Sequence, residues 1–213
     1  MKYPRTFHLP WSPGGTKDDK KLKSVKSFLG KEIVITEKLD GSNTCVNYQG
    51  VFARSHAQLA SHSSFNYLKG EWNNFRFKLE KDEDIFGENC YAVHSISYTE
   101  LSTYFFIFNI RKNGVWLSFS EVEKRAKDLG LQIAPVLFEG VVSTEQELQK
   151  ITEKLQKESS VYGGDREGTV IRLKESFSDE DFSKSVAKMV RKGHVQTDDH
   201  WMHQAIVKQN LKK

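Results

Sequence analysis

Short stretches of alternating apolar and polar residues run through much of the chain. In residues 32–37, Ile33 and Ile35 alternate with Val34 and Thr36, which predicts a strand buried on at least one face. The pairs Gln49-Gly50 and Asn113-Gly114 are typical of hairpin turns. Similar patterns predict further strands at residues 44–48, 51–54, 104–110, 115–117, 168–173 and 187–191.

Helical spacing appears between these strands. Residues 61–79 carry an apolar stripe that Gly70 interrupts, made by Phe65, Leu68, Trp72 and Phe75. The capping pattern Ser120-x-x-Glu123 predicts the start of a second helix, which Gly130 ends. Thr144-x-x-Glu147 predicts a third. A short lysine-rich helix is expected at residues 18–28, and a final one from Asp198 or Asp199 to Ile206.

Together these elements predict an α+β fold in which antiparallel strands are prominent. The length of 213 residues fits one domain, residues 1–213, and no linker or repeat divides it. Hydrophobic residues make up 38% of the chain, and it has neither an 18-residue apolar run nor an apolar start. We therefore expect a soluble, cytoplasmic protein without a membrane partner. Cys45 and Cys90 show no metal-ligand spacing, and a disulfide between them is not expected.

The net charge of +4 is compatible with a polyanionic partner and equally with a mixed-charge solvated surface. Candidate residues for gripping nucleic acid are lysines near the two ends of the chain: Lys17, Lys20, Lys21, Lys23, Lys26, Lys208, Lys212 and Lys213. Solubility is an equally good explanation of them.

The sharpest local signal is Lys38, which lies where a predicted buried strand runs into the turn residues Asp40 and Gly41. A lysine held rigidly and partly desolvated becomes a nucleophile when its pKa falls, to roughly 7–8 in enzymes that tune it. Gly41 permits close approach of backbone and ligand. Alone, this pattern also fits an exposed lysine in an ordinary Asp-Gly turn.

Five further segments follow in order along the chain. The six together are EKLDGSN (residues 37–43), FARSH (52–56), FGENCY (86–91), YFFIFNI (104–110), EGTVIR (167–172) and KMVR (188–191). This series resembles the motifs of the covalent nucleotidyltransferase superfamily of ligases and capping enzymes, and within it the ATP-dependent RNA ligase family. The resemblance spans residues 37–191.

The resemblance implies a catalytic set of Lys38, Asp40, Glu167 and Lys188. Lys38 would attack the α-phosphorus of ATP, and Asp40 would orient the ribose or help to manage the lysine's proton. Glu167 would place a divalent cation, Mg²⁺ or Mn²⁺, with Glu88 as a second candidate ligand. Lys188 would neutralise charge on the α-phosphate as pyrophosphate leaves.

It also implies an ATP site. Glu37 would read the adenine amino group, Phe108 would stack on the base, and Glu88 would bind the ribose hydroxyls or support the metal. Arg54 would contact the ribose or the 3′-OH side of the nucleic acid. The full implied set is Glu37, Lys38, Asn43, Arg54, Glu88, Phe108, Glu167, Lys188 and Arg191.

Three positions depart from the family pattern. Asp40 stands where the nick-sealing branch often has His, and Asn109 stands where many relatives have Asp. The second basic position of the last motif holds Val190, so Arg191 is the candidate substitute. Arg172 is a candidate for the triphosphate or nucleic-acid path, or a solvent-facing strand residue.

The implied fold is an ATP-grasp-like nucleotidyltransferase domain with antiparallel sheets flanked by helices. The 22 residues after Arg191, expected to be a helical tail (residues 192–213), are too few for an OB-fold. The implied reaction joins 3′-OH and 5′-phosphate ends, most readily of RNA, through lysyl-AMP and an adenylylated 5′ end, and the motifs leave open whether the ends lie at a nick. Two alternatives stay open, namely a catalytically impaired or partner-dependent end-binding module of a repair complex and a minimal ATP-dependent DNA ligase.

The histidines are a weak metal signal. His194, His200 and His203 lie near the predicted final helix, but no cysteine or fourth ligand accompanies them. His56 and His62 are interpreted as loop residues near the substrate.

Overall fold

The computed structural model describes residues 1–15, 19–56, 58–193 and 206–212. Within these ranges the strands are, in chain order, β1 (Phe7–His8), β2 (Glu32–Lys38), β3 (Ser42–Asn47), β4 (Gly50–Ala53), β5 (Glu83–Asn89), β6 (Phe105–Lys112), β7 (Val115–Trp116), β8 (Gln132–Ile133), β9 (Val136–Val141), β10 (Gly168–Leu173), β11 (Phe177–Ser178) and β12 (Val186–Val190). The α-helices are α1 (Asn66–Phe75), α2 (Phe119–Leu129), α3 (Glu145–Lys157) and α4 (Phe182–Ser185), and short 3₁₀ helices lie at Ser63–Phe65 and Arg76–Lys78.

The strands form two sheets. The first has the order β1-β12-β10-β2-β9, and the second has the order β11-β7-β6-β5-β3-β4 with β8 beside β6. Pairs within the sheets are antiparallel except β1 with β12 and β6 with β8. The predicted α+β fold with prominent antiparallel strands is confirmed.

Apolar side chains pack on both faces of these sheets. Helices α1 and α2 cover the outer face of the second sheet, where Val46, Ile85 and Ile107 meet Leu68 and Val122. Helix α3 covers the first sheet in the same way. Between the sheets, side chains from both form a further cluster that includes Cys45, Phe86 and Trp116 from one sheet and Val186 from the other.

Most of the predicted elements are present, with local shifts. Gly70 lies inside α1 and does not interrupt it. Helix α2 is capped by Ser118 with Glu121 rather than by Ser120 with Glu123, because the Ser118 side chain accepts from Glu121 N–H and the box is complete two residues earlier. Gly130 ends that helix in a left-handed conformation, and Thr144 caps α3 as expected.

The two predicted terminal helices are corrected. The helix at residues 18–28 is wrong for the described residues 19–28, because the backbone at Lys20 and Leu22 bonds to His8 and the chain then turns at residues 26–30. The final helix lies outside the described residues except at Ile206. Residues 206–212 are extended and bridge to Ala92 and Leu101, so this part of the expected helical tail is wrong.

In the described residues, no helix combines the length and apolarity needed to cross a membrane.

Candidate active site

The centre of the site is an ion pair between Lys38 and Glu167. Strand β2 ends at Lys38, and β10 begins opposite it, with Gly168 facing Lys38 across the antiparallel pair. This register brings Glu167 beside the lysine, and Lys38 Nζ donates to Glu167 Oε1 at 2.7 Å and to Oε2 at 2.6 Å. Glu167 is 5% exposed, so the pair is largely shielded from solvent.

Two motif glycines permit the close packing around this pair. A Cβ on Gly41 would lie 2.6 Å from the carbonyl oxygen of Asn89, and one on Gly168 would lie 2.2 Å from that of Met189. Gly41 therefore permits a close approach between two segments of the chain, whereas the predicted approach was between backbone and ligand. It also lets the Gly41 backbone hydrogen-bond to the Glu88 carboxylate.

Three carboxylates surround the Lys38 amine, and they reverse the expected direction of its pKa. Burial disfavours the ammonium form, but the charges of Glu167, Glu88 and Asp40 outweigh burial and raise the Lys38 pKa. The expectation of a lowered pKa is wrong for the ligand-free protein. Burial in turn raises the pKa of Glu88 to about 8, with Glu167 adding repulsion, and burial also raises the pKa of Glu167.

Asp40 has one oxygen committed to the backbone. Its Oδ2 accepts hydrogen bonds from Ser95 N–H at 2.6 Å and Ile96 N–H at 2.7 Å. These bonds tie the turn after Lys38 to the segment that follows β5. The predicted catalytic residue is thus placed beside the lysine, and it anchors the loop there.

Of the two basic residues of the last motif, Lys188 lies at the site, whereas Arg191 is directed to other partners. Lys188 lies on β12 opposite Val170, and burial followed by the neighbouring Lys38 charge lowers its pKa, although Asp19 opposes this. Val190 is fully buried. Arg191 follows the strand, bonds through its backbone to the Glu167 carbonyl, and donates from Nη1 to Asp165 at 2.6 Å.

Glu37 is held in a buried polar pocket on the other face of β2. Its Oε2 accepts from Val161 N–H at 2.9 Å and lies 3.6 Å from Arg166 Nε. Its Oε1 is buried and makes no hydrogen bond among the described residues. Arg166 and Val161 were missed from the sequence, where the only signal is the position of Arg166 directly before the Glu167 motif.

Phe108 packs against an aromatic side chain that was not predicted to lie there. Tyr3 lies between the sheets, with its ring 5.2 Å from Phe108 and 5.0 Å from Phe86 between centroids. Val170 joins the same cluster. Burial raises the Tyr3 pKa to about 12. The N-terminal segment therefore contributes to the hydrophobic cluster between the sheets.

Asn109 and Arg172 form a buried structural pair. Arg172 Nη1 donates to Asn109 Oδ1 at 2.7 Å, and its other nitrogens donate to the carbonyls of Leu117 and Leu173. Asn109 Nδ2 donates to Tyr3 Oη at 3.4 Å. Arg172 is 3% exposed, so both expectations for it, the triphosphate path and a solvent-facing position, are wrong. Burial lowers its pKa to about 10.

Replacing Asn109 with leucine is expected to lower the free energy of unfolding by about 1–3 kcal/mol, because Arg172 Nη1 would lose its acceptor in the interior. Urea denaturation would measure this. Asn74→Leu, at an exposed position on α1, should change stability by less than about 0.5 kcal/mol. Equal effects of the two substitutions would show that the Asn109–Arg172 contact contributes nothing specific.

The remaining predicted residues lie at different distances from the lysine. Asn43 pairs with Glu88 across β3 and β5, and continuing the β3–β4 register past Ala53 places Arg54 at the same level of the sheet. Arg54 is exposed. His62 caps the 3₁₀ helix that begins at Ser63, and His56 lies against Phe52 and Asp84. Both lie in connecting segments, and their proximity to the substrate stays a prediction.

Several of the candidate lysines already have protein partners. Lys21 donates to the Ser12 carbonyl at 2.9 Å, Lys212 lies 3.6 Å from Glu100, and Lys208 lies over the rings of Tyr91 and Tyr104. Lys20 lies over Phe7, whereas Lys23 and Lys26 are exposed. Lys17 and Lys213, like His194, His200 and His203, lie outside the described residues.

The architecture is that of polynucleotide ligases. An archaeal ATP-dependent RNA ligase superposes with a TM-score of 0.57 and 13% identity over 91% of this chain and 49% of its own. An RNA ligase of Naegleria gruberi solved with ATP and Mn gives 0.55 and 17% over 78% and 51%. A proposed ATP-dependent DNA ligase of Aquifex aeolicus gives 0.54 and 16% over 91% and 50%. The chain thus spans about half the length of these structures.

The sequence itself supports a narrower assignment. Residues 31–190 match the model of the RNA ligase family, and this range covers most of the chain. The chain belongs to the RNA ligase family. No curated protein sequence matches it significantly.

Proposed function

We propose that this chain is an ATP-dependent RNA ligase that carries AMP on Lys38. The observation that supports this most strongly is the Lys38 amine, which lies 2.6 Å from a buried carboxylate, is surrounded by Glu88 and Asp40 and is faced by Lys188. Only an amine among these groups can form the phosphoramidate of a lysyl-nucleotide. The family match and the ligase fold agree with it.

The first step forms a bond from Lys38 Nζ to the α-phosphorus of ATP and breaks the bond from that phosphorus to pyrophosphate. The lysine loses one proton. In the second step AMP passes to a 5′-phosphate, and in the third a 3′-OH attacks that phosphate and AMP leaves. Glu167 orients the Nζ atom through its two hydrogen bonds, and Lys188 supplies positive charge where pyrophosphate departs.

The carboxylates fit a divalent cation. Glu88 is half-buried and Glu167 is buried, and desolvation of both carboxyl groups raises their pKa values, so a cation beside them would be stabilised. Hard oxygen donors of this kind suit Mg²⁺ or Mn²⁺. When bound, the ion would neutralise phosphate charge. Carboxylates engaged in that way also hold the Lys38 ammonium less strongly, which favours its loss of a proton.

The base is placed by groups on both sides of β2. Glu37 Oε1 is a buried acceptor without a hydrogen bond in the described part of the chain, and it suits the amino group of adenine. Guanine has a carbonyl at that position, so this carboxylate favours ATP over GTP. Phe108 and Val170, which are partly buried and pack against the same hydrophobic cluster, are the candidate walls for the ring.

The substrate class is tested by sealing assays. Nicked duplexes with RNA or DNA on either side of the nick should be joined fastest where the 3′-OH strand is RNA. Preferential joining of all-DNA nicks would favour the DNA ligase alternative. Formation of lysyl-AMP without sealing would favour a module that depends on a partner in a repair complex.

We also propose, for residues 1–213, one ATP-grasp-like nucleotidyltransferase domain acting in the cytoplasm.

Replacing the exposed residues Lys23 and Lys26 with alanine is expected to weaken binding of a nicked duplex and to reduce the slope of log affinity against log salt by about 1–2. The reason is the loss of up to two phosphate contacts. Lys150→Ala on α3 is the control. If the slope of log affinity against log salt is unchanged in the double variant, Lys23 and Lys26 do not contact the nucleic acid.

A further inference from the structure

Three side chains that the proposed reaction does not use meet at the far end of the second sheet. Cys45 on β3, His56 in the turn after β4 and Asp84 on β5 each offer one ligand atom, and these atoms lie within 4.8 Å of one another. They come from three neighbouring strands, β4, β3 and β5. Asp84 and Glu88 are four residues apart on β5, about 13 Å along the strand, so this group is separate from the Lys38 site.

The register explains why the three meet. Cys45 pairs with Phe52 on one side and with Phe86 on the other. The His56 ring stacks on Phe52 at 4.2 Å, and Asp84 is two residues from Phe86 and so points to the same face. Cys45 Sγ lies 3.7 Å from Asp84 Oδ1.

The ligand atoms are held by their surroundings. His56 adopts a positive φ of 52°, in a turn closed by its N–H bonding to Ala53. Asn47 Nδ2 donates to Asp84 Oδ1 at 2.9 Å, which fixes the carboxylate. Supporting hydrogen bonds of this kind orient the ligands of protein metal sites.

The site already attracts a cation. The amino group of Met1 lies 2.9 Å from His56 Nε2 and 3.3 Å from Asp84 Oδ2. An ammonium group can only donate, so His56 Nε2 must be the acceptor and the ring must be neutral. A neutral imidazole, whose Nε2 here faces the Met1 amino group, is the form that binds metals.

We propose that Cys45, His56 and Asp84 form a binding site for a borderline transition-metal ion, Zn²⁺ above all. The S, N and O donor set matches zinc, whose bonds of about 2.0–2.3 Å put tetrahedral ligands about 3.3–3.7 Å apart. The observed separations require shifts of about 1 Å or less. On binding, the Cys45 thiol forms a sulfur–metal bond and releases its proton to solvent. Water completes the four ligands.

Cobalt(II) is the probe, added to the reduced full chain. One equivalent of Co²⁺ should produce the near-ultraviolet absorption of a thiolate–cobalt bond, and Zn²⁺ but not excess Mg²⁺ should remove it. Cys45→Ser should lose the absorption. Cys90→Ser is the matched control, since Cys90 is the other buried free cysteine and should keep the absorption. Lys38→Ala should also keep it, so this test is independent of the ligase proposal.

His56→Gln covers the case in which Cys45→Ser does not fold. It changes a half-buried turn residue, keeps the thiol, and should weaken Co²⁺ binding at least about tenfold. Absence of the thiolate–cobalt absorption in the unaltered protein would overturn the proposal. So would its persistence in folded Cys45→Ser, or unchanged affinity in His56→Gln.

Discussion

Lys38→Arg is expected to lose transfer of AMP to the protein by at least about a thousandfold while keeping the stability of the fold. A guanidinium keeps its positive charge and can bond Glu167 with two parallel hydrogen bonds, as the lysine does. It cannot lose a proton in a protein, so it cannot attack phosphorus. Labelled ATP and denaturing electrophoresis would measure transfer, and thermal unfolding would measure stability.

Lys38→Ala should behave differently in one respect. It loses transfer equally, but it leaves the buried Glu167 carboxylate without its cation, so the free energy of unfolding at neutral pH should fall by about 3–5 kcal/mol. The Glu167 pKa, already raised by burial, should rise further, and the deficit should shrink as pH falls and the carboxyl is protonated. Measurable lysyl-AMP in either variant would remove Lys38 from its proposed role.

Glu88→Gln is expected to stabilise the fold above neutral pH while slowing AMP transfer by about 10–100-fold. The pKa of Glu88 is raised to about 8, chiefly by burial. An acid whose folded-state pKa lies above its unfolded value of 4.5 makes the folded protein less stable as pH rises from about 4.5 to 8. Glutamine removes that penalty and still accepts a hydrogen bond from Gly41.

The thermal midpoint of Glu88→Gln should therefore exceed that of the unaltered protein by on the order of 5 °C at pH 8.5 and by little at pH 5. Glu123→Gln, at an exposed position on α2, is the matched control and should show no such pH dependence. A Glu88→Gln variant that is less stable at both pH values would contradict the assignment of Glu88 as an acid whose ionised form is disfavoured in the folded protein.

The sequence was sufficient to predict the site residues that lie on strands or at strand ends. The motifs around Lys38, Glu88, Glu167 and Lys188 each coincide with a strand or a strand end, so their positions follow once antiparallel pairing is assumed. The match to the family model confirms the resemblance on which that set rests.

The direction of the Lys38 pKa could not be predicted in the same way. Local reasoning gives only the burial of the amine, whereas the net effect depends on carboxylates delivered by the turn after β2, by β5 and by the segment before β10. The distances from these carboxylates to Lys38 depend on how the two sheets face each other. A tertiary contact likewise decides the place of Tyr3, which nothing nearby in the chain indicates.

The predicted helix at the lysine-rich segment failed for a related reason. Its apolar residues Leu22, Val25 and Phe28 do fill the core beside the first sheet, as a helical face would. The backbone around Lys21 instead pairs with His8, because β1 lies at the edge of that sheet and has hydrogen-bonding groups to satisfy.

The most direct test of the ligase account is the intact mass of the purified protein after incubation with ATP and magnesium. The account predicts a gain of one adenylyl group, removed by pyrophosphate, and peptide mapping should locate it on Lys38. A protein whose mass never changes, or one that carries the adenylyl group on a residue other than Lys38, would contradict it.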